Sequence, residues 1–203
     1  MEIQRFSGDL YEENTYLVLE PQSRLCVLID PGRFVEALPE GYTLDKILLT
    51  HAHVDHALHA QECAERFSAP VYLHRADLPL YRADALSLFA QAGIRRETVP
   101  DPIVFDDGEE LSFGTLRIVP IHTPGHTPGS VCYRIDDALF SGDMLMRGTI
   151  GRIDLPGGNR GEMFESCRLL ASMREDPLVC PGHGDYSTLR HEKETNPYLR
   201  GIV

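Results

Sequence analysis

Positive charge is scarce in this sequence: 19 Lys and Arg stand against 31 Asp and Glu, a formal net charge of −12. That balance favours solubility and disfavours a nucleic-acid partner, because such binding rests on neutralising phosphates. A cysteine framework is also missing. Cys26, Cys63, Cys132, Cys167 and Cys180 are odd in number, scattered, and contain no C-x-x-C pair. A disulfide scaffold and a cysteine zinc site are therefore excluded, and the thiols read as small buried hydrophobes in a reducing cytoplasm. No apolar run approaches the roughly 20 residues of a membrane span. Met1-Glu2-Ile3-Gln4-Arg5 lacks the charged-then-apolar pattern of a signal peptide. The expectation is a cytoplasmic protein with neither a membrane nor a nucleic-acid partner. No internal repeat stands out.

What is present is ordinary globular material with an unusual set of polar residues. Hydrophobic residues make up 42% and charged residues 25% of 203 positions, which predicts one domain spanning 1–203 with a substantial core. Thr15–Leu19 and Leu25–Ile29 read as strands of a hairpin around Glu20–Arg24, closed by the turn Asp30-Pro31-Gly32. Phe34–Leu38 is predicted as a short helix. Lys46–Leu49 reads as a buried strand, and a helix through Ala57, Leu58, Ala60, Ala64 and Phe67 returns to a strand at Val71–Leu73. That is a βαβ unit, with parallel pairing. Ala83–Ala92 has helical spacing, within a segment 75–100 that packs on the core or caps a pocket. Hairpins follow around Gly114 and around Asp136-Asp137. A helix is expected over Glu162–Arg174, a strand at Leu178–Cys180, and a last helix from Ser187 or Thr188. The order describes two similar halves, each ending on a helix and strand. It predicts two mixed sheets packed face to face with helices outside, a four-layer αββα sandwich.

The chain is organised around Thr50-His51-Ala52-His53-Val54-Asp55-His56, which follows a buried strand. On a strand end His51 and His53 share one side. Asp55 and His56 lie beyond the turn and point elsewhere. Such a segment supplies two neighbouring metals, two imidazoles to one and a carboxylate plus an imidazole to the other. Later segments hold the missing pieces. His126 lies between two Pro-Gly turns in Thr123-Pro124-Gly125-His126-Thr127-Pro128-Gly129 and is the preferred third imidazole, ahead of its competitor His122. Asp143, after Gly142 at a strand end, is placed to bridge two cations. His183 stands between glycines in Pro181-Gly182-His183-Gly184. Asp30 is either a partner of a ligating histidine or a turn residue, and His74 reads as structural.

In His51-x-His53-x-Asp55-His56, His126, Asp143 and His183 the sequence resembles the metallo-β-lactamase fold superfamily. Ser141-Gly142-Asp143, Gly151-Arg152-Ile153-Asp154, Pro181-Gly182-His183-Gly184 and Asn196-Pro197-Tyr198-Leu199 make it similar to the short bacterial hydroxyacylglutathione hydrolases, the glyoxalase II-like branch. The resemblance implies two divalent metals, zinc first, with iron or manganese as alternatives. It puts His51, His53 and His126 on one metal, Asp55, His56 and His183 on the other, and Asp143 between them. It also implies hydrolysis of a small-molecule glutathione thioester by a metal-bridging hydroxide, oriented by Asp55, with Asp143 holding the metal pair. Arg152 and Arg147, in the Gly-rich loop after Asp143, are candidate substrate-binding cations. For Arg152 the competing reading is a loop-shaping salt bridge to Asp154. Alternative activities are a persulfide dioxygenase-like reaction on one iron, or hydrolysis of another ester, lactone or lactam.

Overall fold

The computed structural model describes residues 1–83 and 101–202. It contains two six-stranded sheets. The first runs β1 (Glu2–Ser7), β2 (Asn14–Glu20), β3 (Leu25–Ile29), β4 (Thr43–Leu48), β5 (Val71–His74) and β6 (Ile103–Phe105), in that spatial order. Its first two pairings are antiparallel and the remaining three parallel. The second takes β7 (Leu111–Phe113), β8 (Leu116–His122), β9 (Val131–Ile135), β10 (Ala138–Gly142), β11 (Leu178–Pro181) and β12 (Ser187–Thr188), again in sequential spatial order. Only β10 and β11 pair in parallel there. They are joined through α3 (Arg160–Ser172), as parallel strands require a crossover. Each sheet is thus mixed, and each is built by one contiguous stretch of chain.

Alternation along the strands produces the layers. In β2, Tyr16 and Val18 face the second sheet and meet Phe113, Tyr133 and Phe140. Leu17 and Leu19 face the other way, into a core with Ala60 and Cys63 of α2 (Ala60–Phe67). The second sheet does the same: Cys132, Leu139 and Val179 pack under Met163, Cys167 and Leu170 of α3. Strands buried on both faces read as continuous apolar runs, which is why β2, β3 and β10 are conspicuous in the sequence. Each large side chain buried this way contributes on the order of 1.5–3 kcal/mol. All five cysteines are buried free thiols. Among the described residues no helix is long and apolar enough to cross a membrane.

Several local expectations differ from the structure. Residues 34–38 are irregular instead of helical. Only six residues separate Gly32 from Pro39, too few to repay the cost of helix nucleation by themselves, and Val35 is buried in the outer core instead. The helix after His56 is broken into α1 (Val54–Ala57) and α2. Strands β1 and β6 escape sequence reading because both lie at sheet edges with few buried positions. Helical structure begins earlier than expected, at residues 78–83. The rest of the predicted Ala83–Ala92 helix, and the cap proposed over 75–100 beyond Ala83, lie outside the described residues. A last helix, α4 (Leu189–Thr195), is capped by Thr188, whose hydroxyl accepts from His191 N at 3.2 Å.

Candidate metal centre

The ligand candidates collect at one edge of the sandwich, because each follows the end of a strand. His51 and His53 follow β4, with α1 presenting Asp55 and His56 directly after them. His126 lies past β8, Asp143 directly past β10, and His183 past β11. Two triads result. His51, His53 and His126 converge in one, and Asp55, His56 and His183 in the other. In the first, His53 Nδ1 is 2.8 Å from His126 Nε2, and the three rings meet edge to face. In the second, Asp55 Oδ2 lies 3.5 Å from His56 Nε2 and 3.3 Å from His183 Nε2. Asp143 stands between them. Its Oδ2 is 3.5 Å from His126 Nε2, while Oδ1 is 3.4 Å from His56 and 3.7 Å from His183. All seven predicted ligands are therefore in one place, and His122 is not among them.

Outer contacts aim the rings. His126 Nδ1 lies 2.7 Å from the Arg152 carbonyl, to which it donates, leaving Nε2 free for the centre. His56 Nδ1 faces Asp30 Oδ2 at 3.0 Å. Asp30 also accepts from Thr50 N at 2.7 Å and Thr50 Oγ1 at 2.6 Å. It is thus both of the things considered for it, a left-handed turn residue (φ 49°) and the partner of a ligand candidate.

Within this centre three buried atoms then have no hydrogen-bond partner: His51 Nε2, His56 Nε2 and Asp143 Oδ1. Buried polar atoms left unpaired are costly, and these belong to the two triads and the carboxylate between them. Imidazole nitrogens and carboxylate oxygens suit a divalent ion such as zinc, iron or manganese, and the cluster fits one.

The electrostatics are those of a site built for cations. Burial, then the neighbouring histidines led by His56, holds His51 well below the usual histidine range. Burial and His126 bring His53 down to about 4. Burial also opposes charge on His56, but the carboxylates of Asp55, Asp143 and Asp30 outweigh it and hold this ring well above its usual value. Burial raises Asp143, yet His56, His126 and His183 overcome that and keep it below the carboxylate range.

Two positioning residues give no warning in the sequence. Asp77 is fully buried and accepts from Ala52 N at 2.8 Å, Thr127 Oγ1 at 2.8 Å and Gly129 N at 2.6 Å. It ties the His51–His53 segment to the loop carrying His126. In the sequence it is one more acid near the start of a helical stretch. Asn14 grips the other side: its side-chain amide donates to the carbonyls of Pro181 and Gly184, both at 2.9 Å, around His183. An Asn at the start of a strand carries no signal of that reach.

The two candidate substrate cations are already engaged. Arg152 makes a bidentate pair with Asp154 at 2.8 Å on both arms, and both side chains are exposed. Arg147 faces Asp185 at 3.9 Å.

The metallo-beta-lactamase superfamily model, whose members are metal-dependent hydrolases, matches residues 8–183. The chain belongs to that superfamily. A probable metallo-hydrolase of Bacillus subtilis, YqgX, is 37% identical over 203 residues, covering 94% of each chain. The hydroxyacylglutathione hydrolase GloC of Haemophilus influenzae is 29% identical, covering 98% of each. Among solved structures, the B3 metallo-beta-lactamase BLEG-1 superposes with a TM-score of 0.88 at 33% identity, covering 98% of this chain and 100% of that one. TTHA1623 in a di-iron-bound form gives 0.82 at 37%, covering 97% and 100%. ETHE1 from Myxococcus xanthus gives 0.77 at 26%, covering 97% and 84%.

Proposed function

We propose that this chain is a binuclear thioester hydrolase acting on glutathione thioesters. The observation that carries the binuclear reading is Asp143, whose two oxygens face different triads at 3.5 Å and 3.4 Å. His51, His53 and His126 would hold one divalent metal, Asp55, His56 and His183 the second, with Asp143 shared. When bound, such a pair supplies Lewis acidity and lowers the pKa of water towards roughly 7.

The chain's own residues then have defined tasks. Asp55, with Oδ2 aimed at His56 and His183, orients the attacking water and accepts its hydrogen bond. Asp30 and the Arg152 carbonyl keep His56 and His126 in fixed orientations, so the centre is preorganised. A thiolate leaving group is comparatively acidic and needs little general-acid help. Likeness to GloC supports the glutathione thioester as substrate class. A second reading, a persulfide dioxygenase-like reaction on one iron, is the alternative kept beside it. The likeness to ETHE1 is its specific support. A complete second triad with a buried, unpartnered His56 Nε2 favours two metals.

The test is metal analysis of protein purified without added metal, followed on the same sample by assays with S-D-lactoylglutathione, a lactone, a β-lactam, and a persulfide with oxygen uptake. Two metals per chain and thioester turnover are expected. Asp143→Ala should lose metal and most activity. One iron with oxygen uptake would transfer the assignment to the second reading.

A further inference from the structure

Away from the metal centre, a second cluster joins the two sheets. His74 ends β5 in the first sheet and His122 ends β8 in the second. Asp107 comes from the turn between β6 and β7. A single atom, Asp107 Oδ1, lies 2.9 Å from His74 Nε2 and 2.9 Å from His122 Nδ1. The two imidazoles are stacked, with centroids 4.2 Å apart and planes at 24°.

His, His and Asp at this spacing invite a metal reading, but the ring orientation argues against one. A cation bound by two imidazoles lies close to both ring planes, so the planes must converge on it. The rings of His51, His53 and His126 do so, at 76° to 88°. Nearly parallel rings do not.

Hydrogen bonding accounts for the cluster without a metal. His122 Nε2 is 2.9 Å from the Pro128 carbonyl, which can only accept. That nitrogen therefore carries a proton. Its Nδ1 faces a carboxylate oxygen, another acceptor, and carries a second. His74 differs: its Nδ1 accepts from Ala76 N at 3.4 Å, so its Nε2 is the protonated nitrogen of a neutral ring. Burial and the nearby His122 both press His74 below its usual range, consistent with the charge lying on His122.

We propose that His122, His74 and Asp107 form a proton-held clasp between the two sheets, with the positive charge on His122, and that this clasp positions the loop presenting His126. The loop connection is direct. His122 donates to Pro128, two residues past His126, and Asp77, three residues past His74, accepts from Thr127 and Gly129.

The surroundings favour a cation on His122. Asp107 faces both rings, whereas Asp77 acts on His74. Asp106 is taken up by Arg75 at 2.8 Å and 3.0 Å, and Glu109 lies in the same turn. From α3, Glu162 and Glu165 line the cavity beside His122. The clasp does not depend on which reaction the metal centre performs.

The experiment is nitrogen-15 NMR of the histidine side chains in the full, metal-loaded protein at pH 7. It is paired with thermal stability across pH 6–9 for the wild type and Asp107→Asn. His122 should show two protonated nitrogens and His74 the neutral Nε2–H form. In Asp107→Asn the charged His122 signal should fall by about half or more, since one exposed carboxylate acts modestly. The wild type should lose stability as pH rises from 6 to 9, and the variant should show a shallower loss. A neutral His122 at pH 7 in the wild type would overturn the clasp. So would identical pH profiles in both proteins. Zinc added beyond the saturated centre that shifts both ring nitrogens to metal-bound positions would replace it with a peripheral metal site.

Discussion

His53 Nδ1 and His126 Nε2 face each other at 2.8 Å, and His126 has its other nitrogen committed to the Arg152 carbonyl. Two imidazoles in this arrangement share either one proton or one metal ion. The competition between the two has a predictable direction.

In chelator-treated protein, His53 titrates at about 4 when folded and near 6.5 when unfolded, chiefly through burial and then His126. Between those values the unfolded chain takes up a proton that the folded chain refuses, so stability is lost as pH falls from 6.5 towards 4. His56 has the opposite sign. Its raised value gives stability that is complete below 6.5 and lost as pH rises through the folded value. His53→Gln should make the acid limb shallower without touching the alkaline one, the rest of the acid limb coming from His51. Urea denaturation of the chelated protein at intervals from pH 4 to 7 checks this, and an unchanged acid limb would count against the site's electrostatics as described.

Gly182 sits against the centre so closely that a Cβ would lie 2.2 Å from Asp143 Oδ1 and 2.7 Å from His56 Cε1. Gly182→Ala should reduce bound metal and lower turnover about 10–100-fold, an effect of the size seen when ligand geometry is disturbed. Gly184→Ala is the control. Gly184 has φ +77° with open space around it, so alanine costs about 1–2 kcal/mol of backbone strain and leaves the metals in place. Metal analysis and denaturation on both variants separate the two effects.

Asp77→Ala leaves three donors, Ala52 N, Thr127 Oγ1 and Gly129 N, without their acceptor. Each such buried group costs about 1–3 kcal/mol, so a loss of several kcal/mol is expected. Because Asp77 ties together the segments that carry His51, His53 and His126, metal affinity should fall about 10–100-fold in the fraction that folds. Calorimetry together with metal titration measures both, and wild-type metal affinity would remove Asp77 from the positioning role.

Arg152 and Asp154 make a reciprocal pair of substitutions informative. If Arg152 recognises a substrate carboxylate, Arg152→Ala should raise KM for lactoylglutathione about tenfold with metal content unchanged. Asp154→Asn releases the guanidinium from its present partner and should lower that KM. A small uncharged thioester should respond to neither change. Equal effects on both substrates would mean that the pair only shapes its loop.

The sandwich and the seven ligand candidates were legible because both rest on local chemistry. Strands buried on both faces leave long apolar runs; His51 and His53 follow one such run, and His126 and His183 stand beside turn-forming glycines. Asp143 was legible through the Gly-Asp turn at the end of β10. Edge strands β1 and β6 were not, since an edge buries too little to impose a pattern. Asp77 and Asn14 were hidden for another reason: their partners are 25 or more residues away, and nothing in their immediate neighbours marks such contacts. Arg152 shows the limit from the other side, because its backbone carbonyl serves the centre whatever its side chain binds.

Each sheet is made by its own stretch of chain, residues 2–105 for the first and 111–188 for the second. The ligand candidates are divided the same way: His51, His53, Asp55 and His56 come from the first stretch, and His126, Asp143 and His183 from the second. Neither half owns a complete triad. A metal ion bound here acts as a non-covalent suture across the seam, and its binding energy adds to the association of the halves. Two fragments cut at the exposed turn around Gly108 should then reassemble far more tightly with divalent metal than with chelator, in a complementation assay that needs no substrate at all.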